Sequence, residues 1–307
     1  VKLLTDHHPE WEHVALDNFY LGDIRHIGDV KVNHVDIRNQ SELEAALDGS
    51  DVVLHLAAIS GVDDCEQHQD LAYDVNVTGT HNVAWFCRKT GAGLVFPFSM
   101  AVLGDPQTFP ITVSDPRDPF NWYGRTKLLG EQAIETYAED AFPAHLYLKS
   151  NLYGEHTING QRVSKGTVIN FFVNRALNGE PLTVYERGTQ SRNYIHVDDV
   201  ARAYVHSTEQ LLDQLATGET GVKKYEIASG EDPGVHTVAD RVQQLTADER
   251  GTHIDVELVE NPRADEETLV DTFTVDTTSA HTDLGWSPTH SIAESIRRLL
   301  REEPDDS

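Results

Sequence analysis

The feature that most constrains the fold is an alternation, through the first half of the chain, of short β-branched runs with longer amphipathic segments. The short runs predict strands at residues 13–17, 31–36, 52–57, 94–98 and 145–151. Between them, apolar residues at spacings of three and four predict helices, among them residues 41–47, 71–89 and 121–137. Strands and helices in this order form a parallel sheet covered by helices, so the sequence predicts a doubly wound α/β fold.

The second half of the chain is less regular. Its pattern predicts helices at residues 168–177, 200–211 and 237–245, a strand at residues 182–185 and an amphipathic helix from Ile292. We therefore predict a nucleotide-binding domain over residues 1–150, a smaller α/β substrate domain mainly over residues 151–300, and a charged tail over residues 301–307.

The beginning of the chain departs from this plan. Asp17 ends the first predicted strand, and Rossmann folds carry a glycine-rich loop about 20 residues before such an acid. Counting back from Asp17 places that loop before Val1, and Met100 is the single methionine. The sequence therefore predicts a Rossmann-like sheet that is N-terminally truncated, without its first strand and its glycine-rich loop.

The charge of the chain limits its partners. Asp and Glu number 51 against 24 Lys and Arg, which gives a formal net charge of -27. Such a surface repels nucleic acid phosphates and anionic lipids, so neither is an expected partner. The acids are dispersed and Arg outnumbers Lys, which favours a halophilic enzyme in a cytoplasm whose salt screens self-repulsion. The alternative is an ordinary acidic enzyme.

Membrane spans and metal sites have no support in the sequence. No run approaches the roughly 20 apolar residues of a transmembrane helix and no leader pattern precedes the first element, so a cytoplasmic location is expected. Cys65 and Cys87 lack metal-ligand spacing. We therefore predict neither a disulfide framework nor a bound metal.

The strongest local pattern is a tyrosine followed four residues later by a lysine, Tyr123 and Lys127, on one face of a predicted helix. A nearby ammonium favours the phenolate, so Tyr123 is predicted to titrate closer to neutral pH and to act as a general base. Ser99 follows the strand at residues 94–98, at the edge where parallel sheets place ligands. Alone, such a pair is usually a surface contact and such a serine a turn residue, but the three in this order favour a catalytic site.

Five further motifs follow in order along the chain, at residues 36–38, 53–58, 76–80, 192–199 and 284–288. Together with Ser99, Tyr123 and Lys127, they make the chain resemble the extended short-chain dehydrogenase/reductases, in particular the NAD-dependent sugar-nucleotide epimerase/dehydratase family. The resemblance covers nearly the whole chain. Each motif alone is weak, whereas the ordered set is specific.

The resemblance implies that Tyr123 is the base, Lys127 its partner and a ribose ligand, and Ser99 the hydroxyl that orients the substrate. A carboxylate at Asp17 would accept the ribose hydroxyls and disfavour a 2′-phosphate, so NAD is the expected cofactor. The other positions that the resemblance assigns to the cofactor are Asn18, Asp36, Ile37, Leu56, Ala57, Ala58, Asn76 and Tyr123. The alternative is that these are strand-end caps and small core residues.

The resemblance also implies a substrate site. Asn151 and Arg192 match positions that contact a nucleotide diphosphate, and the planar fork of an arginine can bond two phosphate oxygens at once. Arg263 would add a second clamp. Val168 and Asn170 match positions that hold the base and the first phosphate, at a helix start that favours phosphate. The alternative for Arg192 is a surface ion pair.

The residues after Ser99 bear on the reaction. Relatives that eliminate water or decarboxylate carry an acid next to the catalytic hydroxyl, whereas residues 100–103 contain none. Without that acid no obvious group removes the C5 proton. We therefore predict an NAD-dependent epimerase of a nucleoside-diphosphate sugar, a UDP-hexose at C4 rather than a dTDP- or GDP-sugar, acting through a transient 4-keto intermediate. The sugar stays open among glucose, galactose, a glucuronate and an N-acetyl hexosamine. The alternatives are an NAD(P)H-dependent 4-keto nucleotide-sugar reductase and a non-catalytic dinucleotide sensor.

Finally, the resemblance implies a homodimer, in which the helix that carries Tyr123 and the preceding long helix form a four-helix bundle with a second copy. Trp85, Leu128, Leu129 and Ile134 would supply its apolar face. The alternative is that these four residues line the core of one protomer.

Overall fold

The structure, a computed structural model, describes residues 1–262 and 270–301. Its strands are β1 (Ala15–Asp17), β2 (His26–Ile27), β3 (Val30–His34), β4 (Val52–Leu54), β5 (Gly93–Ser99), β6 (Pro143–Lys149), β7 (Asn151–Tyr153), β8 (Glu155–Ile158), β9 (Gln161–Ser164), β10 (Leu182–Tyr185), β11 (Tyr194–His196), β12 (Gly221–Ile227) and β13 (Val256–Val259). Its α-helices are α1 (Lys2–His7), α2 (Gln40–Leu47), α3 (Val62–Gln67), α4 (Gln69–Tyr73), α5 (Thr80–Thr90), α6 (Trp122–Ala138), α7 (Val168–Leu177), α8 (Val197–Thr217), α9 (Val235–Arg250), α10 (Thr278–Thr282) and α11 (Ile292–Arg301). A π-helical turn, Asp74–Gly79, joins α4 to α5, and a 3₁₀ turn, Met100–Val102, follows β5.

A parallel sheet with the strand order β12–β6–β5–β4 forms the centre of the fold. Strands β5 and β6 are buried along their length except for the last residue of each, which is partly exposed. Helices α6 and α8 both pack against these two strands. Coverage by helices explains why β5 reads as a continuous apolar run in the sequence. The predicted α/β class is confirmed.

Strands β1, β3 and β2 form a smaller sheet, in which β1 and β3 are parallel and β2 is antiparallel to β3. Asp17 is the last residue of β1, and Asp36 lies just beyond β3. Helix α2 begins after Asn39, whose side chain accepts a hydrogen bond from the Glu42 amide and so caps the helix. The strand ends of this sheet thus present carboxylates.

The second half of the chain contributes to more than one layer. Strand β12 pairs in parallel with β6 along its whole length, and α8 packs on the same sheet. A separate apolar core lies among α7, α9, α11 and β10. The domain boundary predicted after residue 150 stays a prediction, and the structure adds that residues 197–227 pack on the sheet formed by the first half.

Several segments differ from the sequence prediction, and three of them show why. The helix predicted over residues 71–89 is divided by the π-helical turn. Helix α1, which packs against α8, forms where no helix was predicted. Strand β12 was not predicted, since Lys223 and Lys224 interrupt its apolar run and only the pairing with β6 defines it. Of the predicted charged tail, residues 302–307 lie outside the described residues.

The four residues considered for a dimer face behave differently. Ile134 is fully buried in the core of the protomer and Leu128 packs against that core. Leu129 and Trp85 are exposed. For Ile134 the core alternative is therefore correct, while the homodimer itself stays a prediction.

Within residues 1–262 and 270–301, no helix is both long and apolar enough to cross a bilayer. Cys65 and Cys87 are buried free thiols. Burial raises the pKa of Cys65 to about 11 and that of Cys87 to about 12, so both are protonated and unreactive at neutral pH.

Candidate active site

Two strand ends bring side chains together at the carboxyl edge of the central sheet. Ser99 ends β5 and Lys149 ends β6, and the register pairs these two residues directly. The Ser99 hydroxyl accepts a hydrogen bond of 3.2 Å from the Ala101 amide, which fixes its oxygen at the start of the 3₁₀ turn. Open parallel sheets place ligands at this edge, so Ser99 lies where the sequence analysis expected it.

Helix α6 brings the tyrosine and the lysine to the same edge. Asn121 caps the helix by accepting a hydrogen bond of 2.9 Å from the Gly124 amide. Gly124 has no room for a side chain, because a Cβ there would lie 2.4 Å from the Ala101 carbonyl oxygen. The first turn of α6 thus lies against the segment after β5, where the Ser99 hydroxyl is close enough to the Tyr123 phenol to lower its pKa.

The pKa of Tyr123 is opposite to the sequence prediction. Burial raises it to about 12, although the hydrogen bond with Ser99 acts in the other direction. The prediction of a phenol that titrates closer to neutral pH is therefore wrong, because lost hydration penalises the phenolate more than its neighbours favour it. At neutral pH Tyr123 is a phenol that can donate a hydrogen bond.

Lys127 is buried one helical turn beyond Tyr123. Its Nζ donates a hydrogen bond of 3.2 Å to the Pro97 carbonyl and lies 4.7 Å from the centroid of the Phe96 ring. Burial, followed by the charge of Lys149, lowers the pKa of Lys127 to about 7. An ammonium has three donors, and Pro97 is its hydrogen-bond partner within the described part of the chain, so Lys127 can also donate to a ligand hydroxyl.

Asn76, on the π-helical turn, joins the loop after β4 to helix α6. Its Oδ1 accepts a hydrogen bond of 2.9 Å from the Ile59 amide, while its Nδ2 donates to the Ile59 carbonyl at 2.9 Å and to Thr126 Oγ1 at 3.0 Å. Both ends of this buried amide are engaged by protein, which supports a positioning role for Asn76. Its predicted contact with the cofactor stays a prediction.

Replacing Asn76 by alanine is expected to lower the free energy of unfolding by about 1–3 kcal/mol, because the buried Ile59 amide and carbonyl lose their partner. Urea denaturation measures this change. Asn174→Ala, on the exposed side of α7, is the matched control and should stay within about 0.5 kcal/mol of the wild type. If Asn76→Ala were as stable as the wild type, the positioning role of Asn76 would be contradicted.

The cofactor residues predicted on the small sheet lie close together. The exposed Asp17 carboxylate accepts a hydrogen bond of 2.5 Å from the Phe19 amide. Asn18 Nδ2 donates to Asp36 Oδ2 at 3.3 Å, and the Arg38 guanidinium donates to both oxygens of Asp36. These hydrogen bonds, those of Arg38 first, hold the pKa of Asp36 well below its usual range. The strand ends therefore present two carboxylates, and that of Asp36 is held in its ionised form.

The predicted apolar contacts of the cofactor flank these carboxylates. Ile37 is partly buried and lies so close to Gly79 that a Cβ on the glycine would be 2.4 Å from Ile37 Cδ1. Leu56 and Ala57 are exposed just beyond β4, and Ala58 is partly exposed. The segment after β4 thus presents an apolar surface at the carboxyl edge of the sheet.

Asn170 and Val168 open helix α7 as predicted, but the Asn170 side chain is used within the protein. Its Oδ1 accepts a hydrogen bond of 2.9 Å from the Gly154 amide, and its Nδ2 donates to the Gly154 carbonyl, to Ser164 Oγ and to the Lys165 carbonyl. Asn170 therefore ties α7 to the loop between β7 and β8. Its predicted contact with a phosphate stays a prediction, as does the base contact of Val168.

The pairing of β7 with β11 brings Asn151 close to Arg192. The Asn151 amide donates to the Asn193 carbonyl at 3.2 Å, and Arg192 is partly exposed, with one guanidinium N–H on the Ser191 carbonyl at 2.8 Å. The two residues thus lie on neighbouring backbone segments, and their predicted contact with a diphosphate stays a prediction. Arg263, the predicted second clamp, lies outside the described residues.

Two lysines were not assigned to the site from the sequence. Lys149 enters it through the register with Ser99. Lys165, in the loop before α7, donates hydrogen bonds to Ser60 Oγ at 2.7 Å and to the Ser60 carbonyl at 3.0 Å. These contacts join segments that are distant in the sequence, so neither lysine carried a local signal beyond the closeness of Lys149 to Asn151.

The polar groups at this edge fit NAD. An exposed carboxylate at the end of β1, here Asp17, suits vicinal ribose hydroxyls and repels a 2′-phosphate. A buried lysine with donors to spare, Lys127, lies one helical turn beyond Tyr123 and suits the second ribose. The donor set therefore matches both ends of a dinucleotide.

Comparisons with known proteins agree with this geometry. The model of the NAD dependent epimerase/dehydratase family matches residues 1–220. A putative UDP-glucose 4-epimerase of Methanocaldococcus jannaschii is 27% identical over 293 residues, which are 94% of this chain and 88% of the relative. A UDP-N-acetyl-alpha-D-glucosaminuronate decarboxylase of Bacillus cytotoxicus is 28% identical over 241 residues, 75% of this chain and 71% of the relative. The family that the sequence resembles is confirmed.

Two solved structures share the fold. The UDP-glucose 4-epimerase of Thermotoga maritima with UDP-glucose aligns with a TM-score of 0.81 and 20% identity, over 97% of this chain and 93% of that one. MoeE5 in complex with UDP-glucose and NAD aligns with a TM-score of 0.79 and 23% identity, over 97% of this chain and 92% of that one. At these identities the likeness establishes the fold alone. Since the family model spans most of its length, the chain belongs to the NAD-dependent epimerase/dehydratase family and uses NAD as its cofactor.

Proposed function

We propose that the chain interconverts the C4 epimers of a nucleoside-diphosphate hexose, with UDP as the nucleotide and a 4-keto sugar as the transient intermediate. The placement of Ser99 and Tyr123 at one edge of the sheet is the observation that carries this proposal: Ser99 is close enough to lower the pKa of Tyr123, and the buried Lys127 lies one helical turn away. Relatives named UDP-glucose 4-epimerase, in Methanocaldococcus jannaschii and in Halalkalibacterium halodurans, support the choice of reaction and nucleotide.

Different residues would bind the cofactor and the substrate. The Asp17 carboxylate and the Lys127 ammonium would bind the two ribose units of NAD, which when bound accepts and returns the hydride of the sugar C4. Asn151 and Arg192 would hold the diphosphate of the substrate, on which the keto sugar turns to present its other face. Binding at the diphosphate rather than at the sugar permits this turn.

In this proposal, Tyr123 removes the proton of the sugar 4-hydroxyl and later returns it. The phenolate takes that proton as the hydride leaves, and the phenol returns it after the sugar has turned, so no net proton is released. Because burial raises the pKa of Tyr123 to about 12, the phenolate needs an opposite charge nearby, which the protonated Lys127 supplies. The Ser99 hydroxyl holds the sugar oxygen and the phenol oxygen in line.

The segment after Ser99 favours epimerisation over elimination or decarboxylation. Met100 and Val102 are buried in the apolar core, and the 3₁₀ turn that they form carries no carboxylate. Removal of the C5 proton requires a base at that position. This distinction matters because one of the relatives is a decarboxylase.

The test is to incubate UDP-glucose or UDP-galactose with the protein and NAD⁺ and to read C4 stereochemistry by NMR. High salt is appropriate for a net charge of -27. The proposal expects both sugars to reach the same equilibrium mixture without accumulation of NADH. Stoichiometric consumption of NADH on a 4-keto sugar would instead identify a reductase. Tight NAD binding without turnover of any UDP- or dTDP-sugar would identify a sensor.

A further inference from the structure

The site brings three lysines together. Lys127 lies under the Pro97 carbonyl, Lys149 stands beside Ser99 at the end of β6, and Lys165 bridges to Ser60 beyond β4. Among residues 1–262 and 270–301, none of the three lysines forms an ion pair with a carboxylate. Lys149 itself donates only a long hydrogen bond of 3.4 Å to the Ser150 carbonyl.

This concentration of positive charge is unusual for the chain. It contains 51 acids and only eight lysines, three of which lie at this one edge of the sheet. The lysines repel one another: Lys149 contributes to the lowered pKa of Lys127, and burial followed by the charge of Lys165 lowers the pKa of Lys149 to about 8. Like charges held together without an acid are stabilised by a bound anion.

The position of Lys149 indicates which part of a ligand would carry that anion. Its backbone is directly opposite Ser99, whose hydroxyl is close enough to the Tyr123 phenol to lower its pKa. If Ser99 and Tyr123 hold the sugar 4-hydroxyl, Lys149 lies near C4 and its neighbour C5. The C6 substituent is attached to C5, whereas the diphosphate is attached to C1, on the opposite side of the pyranose ring from C4. An anion near Lys149 is thus a substituent of C5.

We propose that the substrate is a nucleoside-diphosphate hexuronate and that Lys149, assisted by Lys165, binds its C6 carboxylate. This inference rests on the proposed function and specifies its sugar. Lys149 donates to a carboxylate oxygen in place of the long contact with the Ser150 carbonyl, and Lys165 reaches the same group from the loop before α7. Lys127, which is engaged with Pro97, keeps its role beside Tyr123.

Binding measurements test this independently of turnover. Titration calorimetry with NAD present compares UDP, UDP-glucose and UDP-glucuronate on a Tyr123→Phe background. We expect UDP-glucuronate to bind at least about tenfold more tightly than UDP-glucose, and Lys149→Met to weaken UDP-glucuronate alone by about 10- to 100-fold. Lys165→Met should also weaken the binding of UDP-glucuronate alone, but by a smaller factor. Lys149→Arg, which keeps the charge, should retain the preference and shows that the site is still folded.

Lys223→Met is the matched control, since Lys223 is exposed and paired with Glu219 on the far part of β12. Equal affinity of the wild type for UDP-glucose and UDP-glucuronate would overturn the inference. The inference would also be overturned if Lys149→Met weakened the binding of UDP and of UDP-glucuronate equally, because the lysine would then bind the diphosphate. If either result is found and the protein still epimerises UDP-glucose at C4, the proposed function stands and only the choice of a hexuronate is wrong. If UDP-glucuronate binds tightly but no sugar is epimerised, only the proposed function is wrong.

Discussion

Replacing Tyr123 by phenylalanine is expected to lower kcat for the interconversion of the 4-epimers by about 10²- to 10⁴-fold. The phenylalanine ring fills the same space, but it lacks the oxygen that lies close to the Ser99 hydroxyl and that, in the proposed reaction, exchanges a proton with the sugar. The KM for the UDP-sugar should change little, because the diphosphate contacts are untouched. NMR progress curves at saturating substrate measure the effect.

Tyr137→Phe provides a control on the same helix. The Tyr137 hydroxyl contacts His81 at 2.8 Å near the protein surface, away from the carboxyl edge of the sheet, so its loss should leave kcat unchanged. NAD binding and the melting temperature should match the wild type in both variants. If Tyr123→Phe keeps more than roughly a tenth of the wild-type kcat, the proton transfer must belong to another group.

The parts of the fold that could be predicted from sequence are those whose own residues define them. Strand β5 and helix α6 were expected at residues 94–98 and 121–137 and form at Gly93–Ser99 and Trp122–Ala138. A continuous apolar run and a regular helical spacing are local signals. Strand β12, by contrast, exists through its pairing with β6. Its two adjacent lysines hide it from any local pattern.

The site shows the same division. Ser99, Tyr123 and Lys127 could be predicted because a strand end and a four-residue helical spacing place them. The neighbourhood of Lys149 could not, since it follows from the register between β5 and β6. The pKa of Tyr123 also could not, because it depends on how much water the folded chain excludes. Spacing identifies the partners of a group but does not measure its burial.

Asparagines illustrate a further limit. Asn76 and Asn170 occupy positions that the family resemblance assigns to the cofactor and the substrate, yet their amides hold backbone groups of Ile59 and Gly154. An amide serves a ligand and a backbone equally well, because it has both donors and acceptors. Only the packed structure indicates that these two position the site.

The buried lysines imply that the site is maintained at the expense of stability. An ammonium at Lys127 is dehydrated in the folded protein and fully hydrated in the unfolded chain, which lowers its pKa from 10.5 to about 7 on folding. Between these two values the unfolded chain binds more protons, so the contribution of Lys127 makes the protein more stable as the pH rises from about 7 towards 10.5 and less stable as it falls. Below a pH of about 7 the lysine is protonated in both states, so the free-energy cost of burying its ammonium no longer changes with pH.

Lys127→Met is therefore expected to abolish epimerisation and yet to stabilise the protein at neutral pH. The pKa shift bounds the gain at about 5 kcal/mol, and loss of the contacts with Pro97 and Phe96 should reduce it to about 1–3 kcal/mol. Urea denaturation at a series of pH values checks this, with a variant-minus-wild-type difference that grows as the pH falls from 10.5 to about 7.

The pH dependence of that difference separates burial of charge from general repacking. Lys223→Met removes an exposed lysine paired with Glu219, so its stability should stay within about 0.5 kcal/mol of the wild type at every pH. A Lys127→Met variant that is uniformly less stable than the wild type would mean that the ammonium stabilises the fold through Pro97 and Phe96. A gain that grows towards neutral pH, together with lost activity, would mean that the lysine is retained for its function, because a methionine at that position gives the more stable protein.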